Sequence, residues 1–218
     1  MSTEPALVEP ERPAGPRRVA LVSARYGAGA AAPPGVDAAA LAQAALADSY
    51  EVLADLVGVR SGIVGPAPVA DLLWPDGLYL SEGDVLSLAA QLSGQADELV
   101  VVPADVPDLP GLVLAKVLKV LHRSDVVVAP ARGGAGCVAL GLRLPVAGWL
   151  ADQPLDLDLD PYERLRAAAP SRDQVARAPD WHRLRTPADL RRLDPGLEGW
   201  EQTRLLLSGS TTAAHGPR

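Results

Sequence analysis

Short apolar runs alternate with longer amphipathic ones along most of this chain, the pattern of βαβ units and a largely parallel sheet. The clearest run is 99–103, where Val100, Val101 and Val102 stand in sequence; an unbroken β-branched stretch suits a strand buried on both faces. Positions 19–23, 59–64, 125–129 and 138–142 read as further strands. Helices are expected from Asp37 towards Leu56, over 84–92, and from Gly111 to His122. Asp37 is placed to cap the first, Gly58 to close it and Gly94 to end the second. After Pro145 the pattern weakens. Strict alternation over 155–160 predicts a half-exposed edge strand between Pro154 and Pro161, and Thr186-Pro187 predicts a helix start.

These elements imply one α/β domain over 18–207, a three-layer sandwich around a mainly parallel sheet. The segments 1–17 and 208–218 lack periodicity and are expected to be disordered tails. The composition, with 48% hydrophobic and 22% charged residues, supports a full core. Phe is absent and aromatics make up only 4%, so Val, Leu, Ala and Ile fill that core, with Trp74, Trp149, Trp181 and Trp200 as its large pieces. A formal net charge of −7 argues against sequence-independent nucleic-acid binding, which needs a basic surface. No apolar run reaches the length of a membrane span. The single Cys137 and the absence of a secretory-signal pattern point to the cytoplasm.

Candidate chemistry begins at the end of the valine-rich strand, in Asp105-Val106-Pro107-Asp108-Leu109. Ligands in open α/β sheets bind beyond the carboxyl ends of the strands. Asp105 and Asp108 therefore either ligate a hard cation such as Mg²⁺ or simply form turns and cap the next helix. Cys137 reads as a packed core residue, and His122 and His182 as surface residues. Asp156, Asp158 and Asp160 are either a cation site or, in the favoured reading, a solvated edge. Arg183, Arg185, Arg191 and Arg192 read as the exposed side of a helix and its approach; Arg183 and Arg185, with Arg132, are alternatively phosphate-neutralising groups.

The Asp105-Val106-Pro107-Asp108-Leu109 turn resembles that of glycosyltransferase-A-like families. These include the bacterial family called domain of unknown function 2064, the molybdenum-cofactor guanylyltransferases and the 2-phospholactate guanylyltransferases. Further landmarks in the same order are Ala45-Leu46-Ala47-Asp48, Pro130-Ala131-Arg132-Gly133-Gly134 before Leu140-Gly141-Leu142, and Thr186-Pro187-Ala188-Asp189-Leu190. The resemblance spans about 18–195. It implies a GT-A fold and a transferase acting on a nucleoside triphosphate or nucleotide sugar. Asp105 would be the catalytic residue and, with Asp108, the Mg²⁺ ligand. Ser23, Ala24, Arg25, Gly27 and Gly29 would hold the nucleotide, with Arg132, Gly133, Gly134 and Gly136 on its other side.

This chain departs from the family pattern at charged positions. Arg25 is the one cation in a first loop where relatives carry a Lys-Thr-Arg run. Arg132 stands where many relatives have an acid, and Arg183-Leu184-Arg185 precedes Thr186 where relatives often place an Asp. Guanidinium for carboxylate inverts the local charge and disfavours a cation at Asp105. Two outcomes follow: arginines that neutralise phosphate directly, or a non-catalytic ligand-binding or accessory protein on the same scaffold. Arg183 paired with Asp105 would mark the second.

Overall fold

The computed structural model describes residues 15–66, 71–134 and 136–213. Seven strands form one sheet in the order β3-β2-β1-β4-β6-β5-β7. They are β1 (Arg18–Ser23), β2 (Val59–Val64), β3 (Leu78–Leu80), β4 (Glu98–Pro103), β5 (Val126–Pro130), β6 (Cys137–Arg143) and β7 (Val175–Arg177). All neighbours pair in parallel except β6, which runs antiparallel between β4 and β5. The helices are α1 (Ala38–Ala54), α2 (Val85–Leu92), α3 (Gly111–Leu121), α4 (Tyr162–Ala168) and α5 (Glu201–Ala213).

The unbroken apolar strands are divided between two cores by the two-residue period of a strand. On β4, Val100 and Val102 face the core under α1 and α3, while Leu99 and Val101 face the core under α2 and α4. The same alternation splits Ala20 and Val22 from Val19 and Leu21 on β1, and Val127 and Ala129 from Val126 and Val128 on β5. Each such valine or leucine side chain contributes about 1.5–3 kcal/mol when fully withdrawn from water. The result is a single α/β domain of three layers. No helix among the described residues is long and apolar enough to cross a membrane.

Local chemistry sets the helix starts. Asp37 accepts from Ala40 N at 2.8 Å and Asp84 from Ser87 N at 2.8 Å, each satisfying an orphan donor of the first turn. Thr186 and Asp189 form a reciprocal capping box at the 3₁₀ turn Pro187–Arg192. The last helix is capped from far away in sequence: Asp48, fully buried on α1, accepts from Gln202 N at 3.0 Å and Thr203 N at 2.8 Å.

The structure departs from the sequence reading in several places. The edge strand expected over 155–160 is a pair of turns. Asp156 accepts the backbone N–H of Asp158, and Asp160 that of Tyr162, so these side chains compete with a sheet ladder. Leu155 and Leu157 are buried, whereas Leu159 is exposed. Trp74 is 47% exposed rather than a core piece. Helix α5 continues into the segment expected to be a tail, and Arg17 is tied to Asp97 by an ion pair at 2.7 Å. Most of the first expected tail, and the end of the second, lie outside the described residues. The short strands β3 and β7 carry too few residues to show a period.

Gly136 sits where no side chain fits. Its φ is +91°, and an added Cβ would lie 2.2 Å from the Leu157 carbonyl oxygen. Gly136→Ala is expected to destabilise the fold by about 3 kcal/mol or more. Gly133→Ala, which meets open space but also carries a positive φ of +90°, is expected to cost about 1 kcal/mol. Denaturant titration of both variants checks the difference.

Candidate functional site

The carboxyl ends of β1 and β4 lie side by side, with Ser23 paired to Pro103, so the first loop and the Asp105 turn share one end of the sheet. Asp105 is 1% exposed. What covers it is the extended segment after β7, which a bridge between Ala131 and Trp181 holds alongside the end of β5. That segment is extended by another backbone bond, from Leu184 N to Asp105 O at 2.8 Å.

Alternation then sorts the side chains of 182–185. Leu184 enters a small core with Trp200 and Leu41, and His182 reaches Asp108, with Nε2 3.0 Å from Oδ1. On the opposite side Arg183 and Arg185 converge on Asp105. Arg183 Nε donates to Asp105 Oδ1 at 2.7 Å, while Arg185 Nε lies 2.9 Å from Oδ2, close enough for an ion pair but too poorly aligned for a hydrogen bond. Arg183 Nη1 donates to the carbonyls of Leu157 (2.6 Å) and Cys137 (3.3 Å). Asp158 pairs with both arginines through Oδ1, at 3.2 Å from Arg183 Nη2 and in close contact with Arg185 Nη2. Burial pushes the Asp105 carboxyl above its ordinary range, opposed first by the Arg183 guanidinium and then by Arg185.

Tyr26 joins this centre to the first loop. Its ring is in cation–π contact with the Arg25 guanidinium, 5.5 Å away, and with that of Arg183, 5.7 Å away. Its hydroxyl donates to Asp156 at 2.9 Å; burial first and that hydrogen bond second push it up to about 12, so it stays protonated. Burial works against the Asp156 carboxylate too, but the N–H of Asp158 and the Tyr26 hydroxyl outweigh it and hold the carboxyl below its ordinary range.

The nucleotide candidates divide. Ser23, Ala24 and Arg25 line a cleft of about 670 Å³ with Gly65, Ser81, Glu82, Gly83 and Asp84, between β1, β2 and the start of α2. Gly27 and Gly29 do not line it. They flank or join the 3₁₀ turn Ala28–Ala31, whose Ala28 and Ala31 are buried, and an added Cβ at Gly29 would be 3.0 Å from Ala38 O. Arg132 is exposed, paired with Asp180 at 3.2 Å and stacked over Trp181. Gly133 and Gly134 form the turn beside it, and Gly136 packs under Leu157 and Asp158, next to the arginine centre. A larger groove of about 1050 Å³ lies between α1, residues 71–75 and α5, and presents mainly alanine and leucine.

A cation at Asp105 and Asp108 finds poor donors. Both oxygens of Asp105 face guanidinium groups. Asp108 accepts from Trp181 Nε1 (3.1 Å) and Asp194 N (3.1 Å) and also meets His182. Among the described residues no group of three or more His, Cys, Asp or Glu side chains is placed to hold a metal ion. The residues present do not fit a bound Mg²⁺.

Three residues differ in place from the sequence reading. His182 is 2% exposed and not a surface residue; Arg183, 3% exposed, is not the exposed side of a helix approach but the Asp105 partner that the second outcome named. Asp158 belongs to the arginine centre rather than to a solvated strand edge. The available signal was the extended register of 182–185 ahead of Pro187, which puts both arginines on one side.

Removing the Arg183 charge leaves Asp105 buried with a partial partner. Arg183→Met is expected to destabilise the protein by about 3–5 kcal/mol, and Asp105→Asn to restore part of that loss in the Met background; chemical denaturation of the double-mutant cycle checks this. Cys137 is fully buried, and burial pushes its thiol up. It is expected to resist iodoacetamide in the native protein and to react once denatured, as mass spectrometry would show.

Residues 86–146 match the protein family described as "Guanylyl transferase CofC like". A search of curated proteins finds no match. Among solved structures, a protein of Desulfovibrio desulfuricans G20 described as a nucleotide-diphospho-sugar transferase is similar at TM-score 0.65 and 19% identity, over 90% of this chain and 98% of that one. CMP:2-keto-3-deoxy-manno-octonic acid synthetase in complex with CTP is similar at TM-score 0.51 and 11% identity, over 88% and 99%. The Rv0371c protein of Mycobacterium tuberculosis H37Rv in complex with manganese is similar at TM-score 0.50 and 17% identity, over 83% and 98%. By its architecture this chain has the glycosyltransferase-A-like fold of the nucleotidyl- and sugar-nucleotide transferases.

Proposed function

We propose that this protein binds a nucleoside triphosphate or nucleotide sugar without a divalent cation, as a ligand-binding or accessory protein on a transferase scaffold. One observation carries the reading: Asp105, at the position where the family resemblance places a metal ligand, has both carboxylate oxygens engaged by Arg183 and Arg185. Two fixed guanidiniums supply the positive charge that a cation would otherwise bring.

The cleft at the end of β1 and β2 is the natural nucleoside site. Arg25 would meet the phosphates, and the Glu82 and Asp84 carboxylates would accept hydrogen bonds from ribose hydroxyls. Neighbouring folds include a protein solved with CTP, in keeping with a nucleotide as the ligand class. The single buried thiol suits a reducing cytoplasm.

A second reading keeps transfer chemistry, because Arg185 is one-third exposed and open to a reacting phosphate. Charge built up on a diphosphate leaving group would then be neutralised by arginine alone. Product formation from a nucleoside triphosphate with chelator present separates this reading from the first.

Thermal denaturation with a panel of nucleoside triphosphates and nucleotide sugars, with Mg²⁺ and with chelator, tests the proposal. A saturating ligand is expected to raise Tm by about 5 °C or more, equally in both conditions, and Arg25→Ala to diminish the rise. No shift with any nucleotide would discard the nucleotide reading. A shift confined to Mg²⁺ would return Asp105 to the role of metal ligand.

A further inference from the structure

We infer that Asp158 occupies an anion subsite of this protein: the Arg183 and Arg185 guanidiniums form a diphosphate-binding position held shut by a carboxylate from the chain itself. The inference rests on the nucleotide reading for its biological ligand and adds a regulatory contact to the same end of the sheet.

The argument begins with donors. Arg183 is committed through Nε to Asp105 and through Nη1 to the Leu157 and Cys137 carbonyls, which fixes its plane. Its Nη2 is buried and makes no hydrogen bond, although Asp158 Oδ1 is only 3.2 Å away. A buried donor left without an aligned acceptor costs free energy. Arg185 Nη2 contacts that same Oδ1. One carboxylate oxygen therefore bridges two guanidiniums, and the pairing leaves donor capacity unused.

The acceptor is the loosely held member of the cluster. Arg183 and Asp105 side chains are each 1% exposed, whereas that of Asp158 is 46% exposed. Asp158 lies in the turns of 155–160, where its N–H is bonded to the neighbouring Asp156 side chain rather than to a strand. Rotating its side chain into water breaks no backbone bond. Departure of Asp158 would leave two guanidiniums facing one buried carboxylate, Asp105, with one positive charge uncompensated at the solvent side. A phosphate group suits that vacancy in charge and shape, since its oxygens can meet both forks at once and satisfy Arg183 Nη2. The Tyr26 ring, 5.7 Å from the Arg183 guanidinium and 5.5 Å from that of Arg25, connects this position to the residue that lines the cleft.

Isothermal titration of inorganic pyrophosphate, with chelator present, tests the inference on the full chain. Asp158→Asn keeps the side-chain shape and removes the competing charge; Asp158→Ser serves if the first variant fails to fold. Either is expected to bind pyrophosphate about tenfold more tightly than the unaltered protein. Adding Arg185→Gln is expected to abolish the gain. A parallel gain for a nucleoside triphosphate identifies the nucleotide's own phosphates as the occupant, and a gain for pyrophosphate alone identifies a free diphosphate. Unchanged or weaker pyrophosphate binding in the Asp158 variants overturns the inference, as does a gain that survives Arg185→Gln. Nucleotide binding by the unaltered protein with no Asp158 effect would sink this inference and leave the nucleotide reading standing. Tighter pyrophosphate binding with no nucleotide bound by any form would do the reverse.

Discussion

A carboxylate withdrawn from water needs a counter-charge, and the way Asp105 obtains one organises this end of the molecule. A charge buried at a strand terminus is costly unless paired and hydrogen-bonded. Here the counter-charge comes from a segment far along the chain, so the extended stretch at 182–185 must dock against the ends of β4 and β5. That docking buries Leu184, brings His182 to Asp108 and draws the turns of 155–160 over Gly136. The electrostatic need of one aspartate thus fixes the course of the chain after β7.

The same interaction gives the fold a chemistry different from a metal-centred one. A divalent cation would leave open positions for phosphate oxygens, whereas a guanidinium presents a planar fork of fixed donors. What such a fork holds depends on which acceptors face it. In this protein those acceptors are supplied internally, by Asp105 below and Asp158 at the solvent edge.

Much of the architecture was legible in the sequence because strands buried on both faces need continuous apolar runs: β4 and β5 each carry three consecutive valines, and β1 and β6 carry mixed runs of Val, Ala and Leu. Caps such as Asp37 and Asp84 act within a few residues and are equally local. The failures have a common cause. At 155–160 the alternation of Leu and Asp has the strand period, but aspartates that bond their own backbone turn the chain instead. His182 and Arg183 look like surface residues because polarity usually means exposure; their burial depends on partners, Asp108 and Asp105, more than seventy residues away. Charge reversal at Arg183 was visible in the sequence, and its consequence for a metal could be reasoned. That the arginine closes directly on Asp105 required the topology.

Asp48 carries a consequence of its own. By capping α5 from within α1, it joins the first and last helices of the described residues into a single outer wall on one side of the sheet. Fraying of the terminal helix is normally a private event of its last turns. Here, unravelling from its first turn would take both N–H donors from the buried Asp48 carboxyl, so helix α5 is bound into the cooperativity of the whole domain rather than added to it as an appendage.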